Sequence, residues 1–100
     1  PALYYWHREE KGASAEVDYL IQHMNRVVPV EVKAGKTGTL KSLHAFMFLK
    51  RYHLAVRVNA DLPSLTEVET PSHTNEIIKY RLISLPFYLL GQLQRILNDN

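Results

Sequence analysis

Asp18, Glu31 and Lys33 are the residues of this sequence whose types and spacing could do chemistry. Asp18 falls in Glu16-Val17-Asp18-Tyr19-Leu20-Ile21, and Glu31 and Lys33 fall in Val27-Val28-Pro29-Val30-Glu31-Val32-Lys33. Two carboxylates can hold a hard divalent cation that lowers the pKa of a bound water. An ammonium beside them can orient that water or offset developing charge. Together these are the parts needed to hydrolyse a phosphodiester, provided the two segments pair. Both segments are apolar and β-branched, and the polar link His23-Met24-Asn25-Arg26 suits a hairpin turn. With Met24-Asn25 as the two turn residues, Asp18 lies opposite Glu31 and Glu16 opposite Lys33. All four then share a face, because strand side chains repeat every second residue. A slip of one residue would send Asp18 and Glu31 to opposite faces.

A plainer account uses the same residues. Glu16 facing Lys33 is an ordinary cross-strand ion pair worth about 0.2–1 kcal/mol, and Asp18 and Glu31 are solvated positions on a half-exposed hairpin. Against it stands the repulsion between two carboxylates directly opposed on adjacent strands. Spacing alone leaves both accounts open.

The remaining elements must carry this hairpin. Leu3 to His7 reads as a first strand, and Arg8 to Ala15 as a polar connector. Ala34 to Gly38, with two glycines, leads into a helix from Thr39 to about Tyr52, with Leu40, Leu43, Phe46, Met47 and Leu49 on its apolar side. Leu54 to Val58 is a short strand, expected to pair in parallel with an earlier one. Asn59 to Glu76 is the least patterned stretch, read as a long loop in which Leu65 to Glu69 could form a short strand. Ile77 to Ser84 reads as a strand. Ser84-Leu85-Pro86 is expected to open a final helix, with Pro86 in its first turn, and its many apolar residues must bury heavily or meet a partner.

Composition narrows the classes. The 100 residues are 46% hydrophobic, which suits one small globular domain. No apolar run approaches the ~20 residues of a membrane span, and no signal peptide or lipidation motif is present, so a cytoplasmic location is the default. Absence of cysteine excludes disulfides and thiolate zinc sites. Twelve Lys and Arg stand against ten Asp and Glu, a net charge of +2, without the dense basic stripe of a dedicated nucleic-acid module. The five histidines are far apart and show no metal-ligand spacing. His44 and Lys41 could face the Glu31 side as auxiliary groups, but exposed helix positions account for them more simply. Tyr4, Tyr5 and Trp6 could stack on bases, although strand packing is the simpler reading.

The ordered set YYW, EVDYLI, VVPVEVKAGK, SLHAFM, AVRVN and SLPFYLLGQL resembles an uncharacterised C-terminal domain attached to prokaryotic AAA-type ATPases. That domain resembles the PD-(D/E)XK, or restriction-endonuclease-like, nuclease superfamily. The resemblance runs from Leu3 to about Leu97. It implies an α/β fold, a mixed β-sheet with flanking helices in the order β-β-β-α-β and then a C-terminal helix. It also implies that Asp18 and Glu31 bind the metal, Mg²⁺, and that Lys33 is the catalytic lysine. The sequence departs from the superfamily in two ways. The acidic residue that many members carry on an N-terminal helix has no counterpart, because the chain starts after that point, and Val17 rather than proline precedes Asp18. No phosphate-binding G-x-x-x-x-G-K-[S/T] loop is present, so ATP would belong to an upstream domain. The chain is therefore read as a single nuclease-like domain, residues 1–100, from a longer ATPase-containing protein.

Two functions follow. One is Mg²⁺-dependent phosphodiester hydrolysis on DNA in the full-length protein, with the isolated chain inactive. The other is a catalytically inactive accessory module of the ATPase that binds protein or nucleic acid. Partners are the upstream ATPase domain and nucleic acid, with no membrane.

Overall fold

The hairpin forms in the register that the apolar pattern favours. A computed structural model describes residues 3–5 (backbone alone), 17–32, 40–60 and 62–100. Strand β2 (Tyr19–His23) turns through Met24 and Asn25 into β3 (Arg26–Val32), pairing Tyr19 with Val30 and His23 with Arg26. Strand β1 (Leu3–Tyr5) adds antiparallel to the outside of β2. Helix α1 (Lys41–Lys50) follows, and then β4 (Leu54–Asn59) lies parallel to β3, as expected. A parallel neighbour requires a long crossover connection, which α1 provides. Strand β6 (Ile77–Pro86) is parallel to β4, and β5 (Ser64–Pro71) is antiparallel to β6. The result is a mixed six-stranded sheet in the order β1-β2-β3-β4-β6-β5.

Alternation along the central strands divides the core in two. Val28, Val30, Val56, Val58, Ile83 and Leu85 face one side and pack with Leu93 and Leu97 of the C-terminal helix α2 (Leu93–Asn98). Ala55, Ile78, Tyr80 and Leu82 face the other and pack with Leu43, Phe46 and Met47 of α1. The apolar side of α1 is narrower than expected: Leu49 is exposed. The helix ends at Arg51, whose φ of 59° is left-handed and whose N–H closes onto the carbonyls of the last turn.

Two expectations are corrected. Asn59 to Glu76 is not one long loop: the short strand expected over Leu65 to Glu69 is there and extends to the eight residues of β5, paired from Ser64 opposite Ser84 to Pro71 opposite Ile77. As the edge strand it is largely solvated on both faces, so Ser, Thr and Glu can fill it and only Val68 packs against the core. The second correction concerns Ser84-Leu85-Pro86, which continues β6 instead of opening a helix. Pro86 is extended, at φ −72° and ψ 159°, within proline's fixed φ range. A 3₁₀ turn over Phe87–Gln92 then precedes α2. Phe87, Tyr88 and Leu90 are exposed, so only part of this segment buries as the sequence suggested. The order is thus β-β-β-α-β-β-β followed by helices, two strands more than the order the resemblance implies. Among the described residues no helix is long and apolar enough to cross a membrane.

Candidate functional site

The α1 side of the sheet carries a polar row at the C-terminal ends of its parallel strands. Glu31 of β3 is the register partner of Arg57 of β4, and Arg57 is the partner of Ser84 of β6. These three share the face of Ala55 and Leu82 by alternation. Asn59, two residues beyond Arg57, is fully buried, and Glu31 is only 9% exposed. Open α/β sheets gather ligands outside the carboxyl ends of their strands, which is where this row sits.

Asp18 joins the row at its outer end. The last pair of the hairpin register is Tyr19 with Val30, so Asp18 and Glu31 are the next residues of the two chains. Asp18 lies in a bend just before β2, and its Oδ2 accepts a hydrogen bond from the Val32 N–H at 2.8 Å. A side-chain oxygen thereby takes the place of a strand carbonyl and ends the ladder. The neighbouring Val17 packs into the α1-side core, although strict alternation with Tyr19 would turn it to the other side. Regular alternation therefore stops at Tyr19. The carboxylate of Asp18 is exposed at the strand end, and that of Glu31 is set within the sheet. Lys33, Glu16 and the ion pair expected between them lie outside the described residues, as do Trp6, His7 and the connector that follows.

Farther down the same face, His44 of α1 meets Tyr80 of β6. The His44 Nδ1 and the Tyr80 hydroxyl are 2.7 Å apart, with the rings edge to face at 5.7 Å. Burial lowers the pKa of His44 from 6.5. Burial also raises Tyr80 well above the ordinary tyrosine range, an effect the Arg57 guanidinium only partly offsets. A neutral imidazole and a neutral phenol therefore share one hydrogen bond. His44 is thus a half-buried packing residue, more enclosed than a solvated helix position.

The other described histidines are dispersed. His23 is 3% exposed, and its Nδ1 contacts the Gln94 Oε1 at 2.9 Å on the α2 side. His53 is exposed between α1 and β4, and His73 lies edge-on to Phe48 at 6.4 Å. Among the described residues no three His, Asp or Glu side chains cluster as metal ligands. Arg57, Asn59 and Ser84 went unremarked in the sequence as site residues. The available signal was a charge and an amide on alternate positions of the otherwise apolar run Leu54 to Asn59.

Neither a curated protein nor a solved structure matches the chain significantly. One family model does match, over residues 1–85, and it covers both the hairpin and the polar row. The chain belongs to the family described as a domain of unknown function, DUF4143.

Proposed function

We propose that the chain is a nuclease-like module of an ATPase-containing protein and takes part in metal-dependent phosphodiester hydrolysis on DNA. The observation that supports this reading is the hairpin register, whose last pair is Tyr19 with Val30, so that Asp18 and Glu31 are the next residues of the two chains at the carboxyl end of β3. A pair of carboxylates fits a cation such as Mg²⁺, which keeps several waters and needs few protein oxygens. Asp18 would contribute the oxygen not engaged by Val32, and Glu31 would contribute its carboxylate. When bound, the cation would supply Lewis acidity and a more acidic water. The Val32 N–H holds the Asp18 carboxylate in one orientation, so its free oxygen is presented without a further ordering cost. Glu31 is anchored by its place in a paired strand. Lys33 would orient the attacking water or offset charge on the phosphate.

A second reading rests on a specific observation as well. The Asp18 carboxylate already ends the β2–β3 ladder, and Glu31 has the Arg57 position beside it. Both acids then have structural duties, and the domain is an inactive accessory module that binds protein or nucleic acid. Calorimetric titration of Mn²⁺ into the domain and into Asp18→Asn and Glu31→Gln separates the two. Asparagine keeps an oxygen for the Val32 N–H but loses the charge. Saturable binding that both variants lose supports the metal site, and nuclease assays on the full-length protein follow. Binding unchanged in Asp18→Asn would leave Asp18 with its structural duty alone.

A further inference from the structure

A second polar region lies at the opposite end of the sheet, where residues from both of its faces meet. Arg26 opens β3 five residues before Glu31, about 16 Å away along the strand. Its position has the opposite parity, so it faces the α2 side. Lys79 and Arg81 of β6 share that parity with Ile83 and Leu85, beyond the part of the sheet that α2 covers. Together with Arg51 they line a groove of about 760 Å³. Glu67 is the only carboxylate side chain among the described lining residues, and it is committed to Arg81 by a 2.9 Å ion pair. Glu69 stands opposite Lys79 in the register. Arg51 is held with its guanidinium 4.4 Å over the Phe48 ring while it lines the groove.

We infer that this groove binds the phosphate of a nucleotide or of a single nucleic-acid strand. Arg26, Arg51 and Lys79 line one void beside the Arg81 that Glu67 already pairs. A phosphate can accept several such cations at once, whereas a carboxylate is filled by one bidentate pair. A volume of this size admits a nucleotide-sized ligand. Tyr52, half-buried in the same lining and packed edge-on against Phe46 at 6.0 Å, adds an aromatic surface beside the cations. Aromatic side chains next to a basic groove are the usual platform for a single strand. The site is independent of the carboxylate row, since it shares no residue with it.

The test is fluorescence anisotropy of a labelled oligothymidine with the domain in EDTA, so that no cation at Asp18 and Glu31 contributes. Inorganic phosphate, ADP and a polyglutamate peptide serve as competitors. Arg26→Ala and Lys79→Ala alter exposed side chains, and circular dichroism verifies that each variant is folded. The expected result is saturable binding that weakens with salt. Each variant should flatten the log–log salt slope by about 1 and lower affinity up to tenfold. Competition by phosphate and ADP with strand binding retained identifies a strand site. ADP binding measured directly, without strand binding, identifies a mononucleotide site. The inference is overturned by absence of both, by unchanged affinity in the variants, or by polyglutamate competing as well as the oligonucleotide. None of these results bears on the Mn²⁺ titration, so the two proposals can fail separately.

Discussion

Met24 is 79% exposed and holds φ at 58°, a left-handed conformation that costs a side chain with a Cβ roughly 1–2 kcal/mol. Nothing in its packing offsets that cost. Met24→Gly should therefore raise the urea midpoint, by an amount equivalent to about 1 kcal/mol after the entropy of glycine in the unfolded chain is subtracted. A lower midpoint would mean that the methionine makes a contact its exposure conceals. His44 gives a prediction of opposite character. Its folded pKa lies below 6.5, so the unfolded chain takes up a proton first as the pH falls. Stability from this residue is fully present above about pH 6.5 and is lost as the pH drops through the lowered folded value. His44→Gln should flatten the decline of melting temperature below that pH, and an unchanged slope would assign the decline to other groups. The sequence showed His44 as a polar position on a helix, at most an auxiliary group facing the Glu31 side. Its enclosure depends on Tyr80, 36 residues away, a contact no local pattern reveals.

At the scale of elements, legibility followed the strength of the repeating pattern. The β2–β3 hairpin was readable because two apolar runs flanked a short polar link, and β4 because a glycine-rich stretch and a helix preceded it. The β5 strand was half visible, as a possible short strand over Leu65 to Glu69 within a longer loop. It is held by its ladder with β6 rather than by a buried face, so its sequence never needed to alternate. The end of β6 misled for a related reason: Pro86 suits a helix's first turn as well as an extended strand end, and pairing with β4 decides between them. An edge strand held mainly by backbone bonds has a characteristic exchange behaviour. Amides of β5 that point away from β6 should exchange early, whereas those of β4 and the central part of β6 should persist. Uniform protection across β5 would show that another chain covers that edge. The ion pair between Arg81 and Glu67 contributes little to the strand's hold, since both side chains are largely exposed. A double-mutant cycle on it should give about 0.5 kcal/mol, reduced further in high salt.

The whole molecule is two cores hung on one sheet. Val56 and Val58 of β4 are fully buried toward α2, and Ala55, the residue before Val56, is fully buried toward α1. The carboxylate row belongs to the α1 side, whereas the basic groove at the other end of the sheet takes Arg26, Lys79 and Arg81 from the α2 side, so the independence of the two candidate sites depends on how far the cores feel one another. Phe46 and Leu97 are each 1% exposed and lie on opposite sides of the sheet. Phe46→Leu and Leu97→Val should each cost about 1 kcal/mol. A domain of this size has roughly 5–15 kcal/mol to lose, so the double variant stays folded and measurable. Side chains separated by the full thickness of a sheet share no neighbours that must repack together. Their costs should add to within about 0.5 kcal/mol in urea unfolding, with fluorescence and circular dichroism transitions coincident. Coupling above about 1 kcal/mol would show that β4 shifts as a body when either core is thinned. Arg57 and Asn59 would then move with it, and a ligand seated in the groove at one end of the sheet would change the affinity of the carboxylates at the other.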